Sequence, residues 1–338
     1  MENDMNTTYL HINAAGDLTQ FSNAVDFFKR KNAPDGTGFY WIDCLDPERI
    51  ELEDLAVNFG LHRLSVDDCF DASPIPKIDI FPDYLGLVFN DVIDAPEGIE
   101  LSEINYFLGR DFLLSVRRNA SEARTPFAKT LERLRRNRVT AGPAMALHAL
   151  MDEIVDRVFP AIEGITERIA EIEDGAITGS RGFDPTELSD IRRDLLSLRK
   201  SLNYERELVS RLRRRESPLI AESLLPYFGD VYDHLSSYLD LAEAAREMIG
   251  NLIQMNLTLS SNSMAEASNR MNRSVSRLTF ITTIFMPLTL ISGIGGMSEW
   301  SMMTGPENWR LSYPLLIVGF AIIAVVTSTV LHWYDKNR

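Results

Sequence analysis

LTFITTIFMPLTLISGIGGMS (278–298) carries no charged residue over 21 positions, and LSYPLLIVGFAIIAVVTSTVLHWY (311–334) carries none over 24. About 20 apolar residues carry a helix across a ~30 Å hydrocarbon core, and a core helix of a water-soluble protein rarely runs so far uncharged. We read these stretches as a C-terminal pair of transmembrane helices, 278–298 and 313–334. A loop at 299–312 joins them, and a tail at 335–338 follows. Arg270, Arg273 and Arg277 precede the pair, Lys336 and Arg338 follow it, and the loop has only Arg310 beside Glu299 and Glu307. The bias of basic residues toward the cytoplasmic side then puts both termini in the cytoplasm and the loop outside. The start, MENDMNTTYL, has neither the basic region nor the apolar core of a signal peptide.

The chain has 338 residues and a formal net charge of −15. Beyond residue 277 three acids (Glu299, Glu307, Asp335) balance three bases (Arg310, Lys336, Arg338), so the whole excess lies in 1–277. An acidic soluble region of that size argues against nucleic acid, whose binders present a basic face. Cys44 and Cys69 are too few for a disulfide framework and share no metal-ligand spacing, which suits a reducing compartment.

Residues 1–120 read as a mixed α/β domain. Runs rich in aromatic and β-branched residues (Thr8–Ile12, Gly38–Asp43, Ile78–Ile93, Ile104–Leu108, Phe112–Val116) predict strands, with helical spacing in 22–30 and 50–59. From about Ser121 to 277 long helices take over as a stalk. Ala144–Glu173 places apolar residues at steps of three and four, and Gly175, Gly179, Gly182 and Pro185 predict a turn. A second helix is expected over 186–215. The third, proline-free from Tyr227 to Pro287, gives 71 residues if continuous to Met297, roughly 105 Å at 1.5 Å per residue. A helix of that length needs neighbours, so an oligomer is expected. No Gly-rich phosphate loop or nucleophile–base pair announces an enzyme.

At about 100° per residue, Val275, Leu278, Thr282, Met286, Thr289, Gly293 and Gly296 form one stripe of the first span, with Phe280, Ile284, Leu288 and Ile291 opposite. In lipid the small and polar face turns toward protein or water. Two spans cannot enclose a conduit, so a pore requires several copies with this stripe inward. The other reading is a tight small-residue contact between helices, with Met286 packed on the second span.

ITTIFMPLTLISGIGGMS (281–298), preceded by SNRMN (268–272) and followed by SYP (312–314), resembles the CorA family of divalent-cation channels, part of the two-transmembrane GxN superfamily. WIDCLDP (41–47), HRLSVDDC (62–69), IPKIDIFPDYLGLVF (75–89), EINYFLGRDFLLSV (103–116), GPAMALHALMDEIVDRVFP (142–160) and PYFGDVYDHL (226–235) extend the resemblance in order along the chain. The resemblance implies an α+β fold: a cytoplasmic α/β domain, long stalk helices and two C-terminal spans, assembled as a funnel-shaped homopentamer. It implies Mg²⁺, Zn²⁺, Co²⁺ or Ni²⁺ as substrate and possible regulator, with no catalytic cofactor. It assigns Asn272, Val275, Leu278, Thr282, Met286, Thr289 and Gly293 to the pore lining. Val275 and Leu278 would form an apolar gate, and Thr289 with the Gly293 carbonyl would coordinate through water.

At the outer mouth the family carries Tyr-Gly-Met-Asn, and here Gly295, Gly296, Met297 and Ser298 stand instead. A ring of Ser298 hydroxyls reaches less far toward the axis than amide carbonyls, which puts Mg²⁺ selectivity in question and motivates a second reading, a non-conducting relative. Glu299 and Glu307 would concentrate cations at the mouth. Asp67, Asp68 and Asp230 match positions where a regulatory cation bridges subunits. His11, His62, His148, His234 and His332 are scattered and receive no metal.

Overall fold

The computed structural model describes residues 7–33, 37–71, 75–95, 98–118, 126–137, 142–178, 184–295, 305 and 308–336. The chain divides into two units, residues 1–254 and 255–338, taken in turn.

The first unit is built on seven strands: β1 (Thr7–Ile12), β2 (Leu18–Phe21), β3 (Phe39–Leu45), β4 (Lys77–Ile80), β5 (Tyr84–Ala95), β6 (Gly98–Gly109) and β7 (Phe112–Arg117), in the order β2-β1-β3-β7-β6-β5-β4. All neighbours are antiparallel except β3 and β7, which run parallel with Ile42 beside Leu114. Successive side chains of β3 point to opposite faces. Tyr40, Ile42 and Cys44 join Phe27 of α1 (Ala24–Lys31), Leu52, Leu55 and Phe59 of α2 (Arg49–Phe59) and Val66 of α3 (Arg63–Asp68) in one apolar cluster. On the other face Trp41 meets Phe127 of α4 (Pro126–Asn137), and Asp43 pairs with the buried Arg117. Because both faces are covered, β3 is buried at every position but its last and β7 throughout, and neither shows the strict apolar–polar alternation of a half-exposed strand. Gly38 opens β3 at φ +115, and a Cβ there would lie 2.0 Å from the Ile12 carbonyl oxygen, so glycine is required.

Helices α5 (Pro143–Val155), α6 (Val158–Thr178) and α7 (Pro185–Arg213) lie against β5, β6 and β7. Buried polar ties fix them. Arg157, between α5 and α6, pairs with Asp91 of β5 at 2.6 Å. On α7, Ser201 Oγ accepts from the Asn90 amide (2.7 Å) and donates to Glu205 (2.9 Å), which also accepts from the Asn90 backbone N–H (3.3 Å).

Three expectations change. The run 78–93 is two strands, because Phe81-Pro82-Asp83 turns the chain and the Phe81 N–H donates to the Tyr84 carbonyl at 3.0 Å. A Pro-Asp pair favours a turn over a continuous strand. The helix expected over 144–173 is broken at Asp156–Arg157, since Pro160 clashes with the carbonyl four residues earlier, that of Asp156, and lacks the N–H to bond it. The helix after the break runs through Gly175 to Thr178. Strand β2 and helix α4 had no counterpart in the sequence reading.

Helix α8 (Leu225–Gly295) has the 71 residues expected, begun two positions earlier. Its part beyond residue 254 and α9 (Trp309–Lys336) make up the described part of the second unit. Both carry apolar segments long enough to cross a membrane, and none of either segment is buried within the chain, unlike the core helix of a soluble protein. The half-buried positions of the α8 segment are Ile284, Pro287, Leu288 and Ile291. Those of α9 are Leu316, Gly319, Phe320, Ile323, Ala324, Thr327 and Ser328, again at steps of three and four. A groove of about 580 Å³ lined by Leu278, Thr282, Met286, Pro287 and Thr327 runs between the two helices.

Candidate cation pathway and acidic metal site

The bulky face of the α8 segment is the one partly covered, at Ile284, Leu288 and Ile291; Phe280, on the same side, stays 39% exposed. The opposite stripe is bare: Val275 is 55%, Leu278 65% and Met286 68% exposed, and Asn272, Thr282, Thr289 and Gly293 are exposed too. Leu278, Thr282 and Met286 border the groove beside Thr327, while Val275, Thr289 and Gly293 do not line it. Met286 is therefore at the margin of the hairpin contact and not buried in it.

The threonines of α8 bond back to their own helix. Thr282 Oγ1 donates to the Leu278 carbonyl, Thr283 Oγ1 to that of Thr279 and Thr289 Oγ1 to that of Phe285, each at 2.8 Å. With its proton committed to the backbone, each hydroxyl presents only lone pairs outward. A hydrated cation directs water hydrogens away from itself, so a lone-pair surface is the matching partner. Pro287 withholds a hydrogen bond from the Thr283 carbonyl, as membrane helices tolerate. Gly296, Met297, Ser298, Glu299 and Glu307 lie outside the described residues.

In the first unit the three acids expected to hold a regulatory cation separate into two groups. Asp67 accepts from Arg49 at 2.6 Å with Arg63 at 3.9 Å, and Asp68 pairs with Lys77 at 2.7 Å. The hydrogen bond that Arg49 donates to Asp67 raises the pKa of Arg49. Asp230 of α8 instead meets Asp152 of α5 and His234 of α8, the ligand-capable atoms of all three lying within 4.8 Å of one another. Asp152 also accepts from Arg133 of α4 at 2.6 Å. Beside them His148 is only 3% exposed, its ring edge-on to Tyr227 (5.4 Å) and Phe228 (5.6 Å). Burial lowers the pKa of His148; burial, then Asp152 and Glu153, raise that of Asp156.

Sequence reasoning passed over Asp152 and gave His234 no metal. The signal present was spacing: His148 with Asp152, and Asp230 with His234, are pairs four apart on one helix face. That these two faces meet is a tertiary fact.

A family model described as "CorA-like Mg2+ transporter protein" matches residues 36–333. The chain belongs to the CorA family. It is 31% identical over 306 residues to the putative metal ion transporter YfjQ of Bacillus subtilis, covering 90% of this chain and 89% of that one. To the cobalt/magnesium transport protein CorA of Thermotoga maritima it is 30% identical over 294 residues, 85% of this chain and 80% of that one. In fold it is similar to the complete structure of the CorA magnesium transporter of Methanocaldococcus jannaschii (TM-score 0.69, 18% identity, 96% of this chain and 97% of that chain). The full-length CmaX protein is similar as well (TM-score 0.66, 21% identity, 97% and 98%). As a CorA-family protein the chain is a membrane protein whose activity is divalent metal-ion transport, with the cation as its substrate.

Proposed function

We propose that five copies of this chain surround a water-filled axis and conduct hydrated divalent cations, Mg²⁺, Zn²⁺, Co²⁺ or Ni²⁺, along the stripe Asn272, Val275, Leu278, Thr282, Met286, Thr289 and Gly293. The observation that carries this reading is the sidedness of α8: the bulky face is half-covered and the stripe is left bare. A bare stripe of threonine, methionine and glycine in a membrane helix needs a partner or water, and one hairpin supplies neither. Val275 and Leu278 form the apolar constriction, which closes by excluding water. The threonine lone pairs receive the cation's hydration shell, which suits Mg²⁺, an ion reluctant to dehydrate. At the outer mouth Gly296, Met297 and Ser298 present the shorter hydroxyl ring, with Glu299 and Glu307 drawing cations toward it.

The termini lie in the cytoplasm, as the basic flanks of both spans support. Asp67, Asp68 and Asp230 act there as the sensor: a divalent cation held between copies neutralises facing carboxylates and favours the closed arrangement. Arg49 and Lys77 hold Asp67 and Asp68 until the cation arrives.

The test is flux into liposomes carrying purified protein and a divalent-sensitive dye. Uptake above empty vesicles is expected for at least one of the four ions, and none for any of them rejects conduction.

A further inference from the structure

Resting on the reading of α8 as the pore helix and of Asp230 as one of its regulatory acids, we propose that the Glu205 carboxyl is a proton-controlled latch on transport. Protonated, it holds α7 to β5 and so steadies the part of α8 that carries Asp230. Ionised at alkaline pH, it frees α7, and cation uptake rises.

The latch is a closed cluster: Glu205 is 2%, Ser201 3% and Asn90 1% exposed. One carboxyl oxygen of Glu205 accepts from both the Ser201 hydroxyl (2.9 Å) and the Asn90 backbone N–H (3.3 Å), and the Asn90 amide donates to Ser201 Oγ (2.7 Å). The charge that faces this carboxyl is Asp91 of β5, which is negative, and Arg157, between α5 and α6, is committed to Asp91 at 2.6 Å. The other charges on the packed elements are engaged or turned outward. On β4, Lys77 and Asp79 pair at 3.3 Å; on β6, Glu103 accepts from the Asn105 amide at 2.9 Å and Glu100 is exposed. The acids of α6 are exposed, and Arg206, next to Glu205 on α7, donates to Asn203 at 3.2 Å. An ionised Glu205 is therefore a buried charge beside a like charge, and burial pushes its carboxyl up to about 8. Above that pH the carboxylate needs water, which reaches it only when α7 and β5 part.

Helix α7 passes the change on. It is also tied to the sheet at Asp194, which accepts from the Ile99 N–H (3.2 Å), and at Arg211, which donates to the Ile78 carbonyl (3.2 Å), so Glu205 lies between two further ties. Toward α8, Arg199 pairs with Glu243 at 2.9 Å, and the Arg213 guanidinium lies over the Tyr232 ring at 4.3 Å. Tyr232 is two residues from Asp230, and α8 continues without a break to Gly295. In the proposed closed arrangement a cation holds Asp230 against Asp67 and Asp68 between copies, which requires α8 to be fixed on the sheet that carries those acids. Loosening α7 weakens that fixation, so the equilibrium moves away from the closed arrangement.

The experiment follows Mg²⁺ and Co²⁺ uptake into liposomes carrying the full-length parent, Glu205→Gln or Ser201→Ala, from pH 7 to pH 8.5 with the same pH on both sides of the membrane. Parent uptake should rise about threefold over this range, while that of Glu205→Gln, which cannot ionise, should change by less than about 1.5-fold. Ser201→Ala removes a donor that favours the charged form, so its rise should move to higher pH. In the same proteins, amide hydrogen exchange corrected for its intrinsic pH dependence should speed up in α7 and β5 of the parent and not in Glu205→Gln. Parent uptake that is flat with pH, or an equal rise in both proteins, overturns the control of transport; equal exchange in both overturns the latch itself. If Glu205→Gln does not keep the parent's melting temperature, Ser201→Ala decides, and a rise at the parent's pH overturns the latch. Failure of the transport reading is distinguishable, since it shows as absent uptake at every pH while the exchange difference persists.

Discussion

At the scale of the residue, the chain departs from its family where ion choice is expected to be made. Ser298 stands where the resemblance to the family implies an asparagine, whose side chain is longer by an amide. Outer-shell selection depends on reach, because Mg²⁺ keeps its water and must be recognised through it. Ser298→Asn should therefore raise Mg²⁺ uptake relative to Zn²⁺ several-fold in liposomes offered both ions. An unchanged ratio removes Ser298 from the filter. The threonines were legible in the sequence as polar positions on an apolar helix. That each hydroxyl proton is spent on the carbonyl four residues back, leaving an acceptor surface, was visible only in the structure.

At the scale of the element, Glu205 shows how α7 is locked to β5. Burial pushes its carboxyl up to about 8, against hydrogen bonds from Ser201 and the Asn90 backbone that favour the charged form; Asp91 adds to the rise. The unfolded chain ionises Glu205 near 4.3, so between 4.3 and 8 the folded state holds a proton that the unfolded state releases. Its contribution to stability is complete below 4.3 and is lost as pH rises through about 8. Asp91, pushed up to about 6 by burial against the charge of Arg157, acts in the same direction, but its window closes by then. Glu205→Gln accepts the same hydrogen bonds and cannot ionise. Between pH 6.5 and 8 the melting temperature of the parent should fall several degrees more than that of Glu205→Gln, and parallel curves would contradict this. The elements themselves were unevenly legible. The proline-free run set the length of α8, and clusters of aromatic and β-branched residues marked β3 and β7 as strands. The β4–β5 turn and the α5–α6 break were signalled by Pro82 and Pro160, which a reading for apolar spacing alone passes over. Helix α4, rich in arginine, has its role through Asp152 and Glu153 on another helix, and no local pattern reveals that.

At the scale of the molecule, a strongly acidic body and a charge-poor hairpin were plain from where the charges fall along the chain. The site inside the body was not, since Asp152 and Asp230 lie 78 positions apart in sequence and come together only when α5 and α8 pack. Assembly is the largest-scale claim. One chain leaves the Val275–Gly293 stripe bare, and several copies are needed to turn it toward a shared aqueous axis. Cysteine scanning tests this most directly. The two native thiols are buried and burial pushes their pKa values up, so they form a silent background. Thr289→Cys and Ile284→Cys proteins are reconstituted in liposomes and treated with a charged, water-soluble thiol reagent while divalent flux is followed. The reagent should block flux through Thr289→Cys and leave Ile284→Cys conducting; block at Ile284 with Thr289 untouched would contradict a pore lined by the stripe.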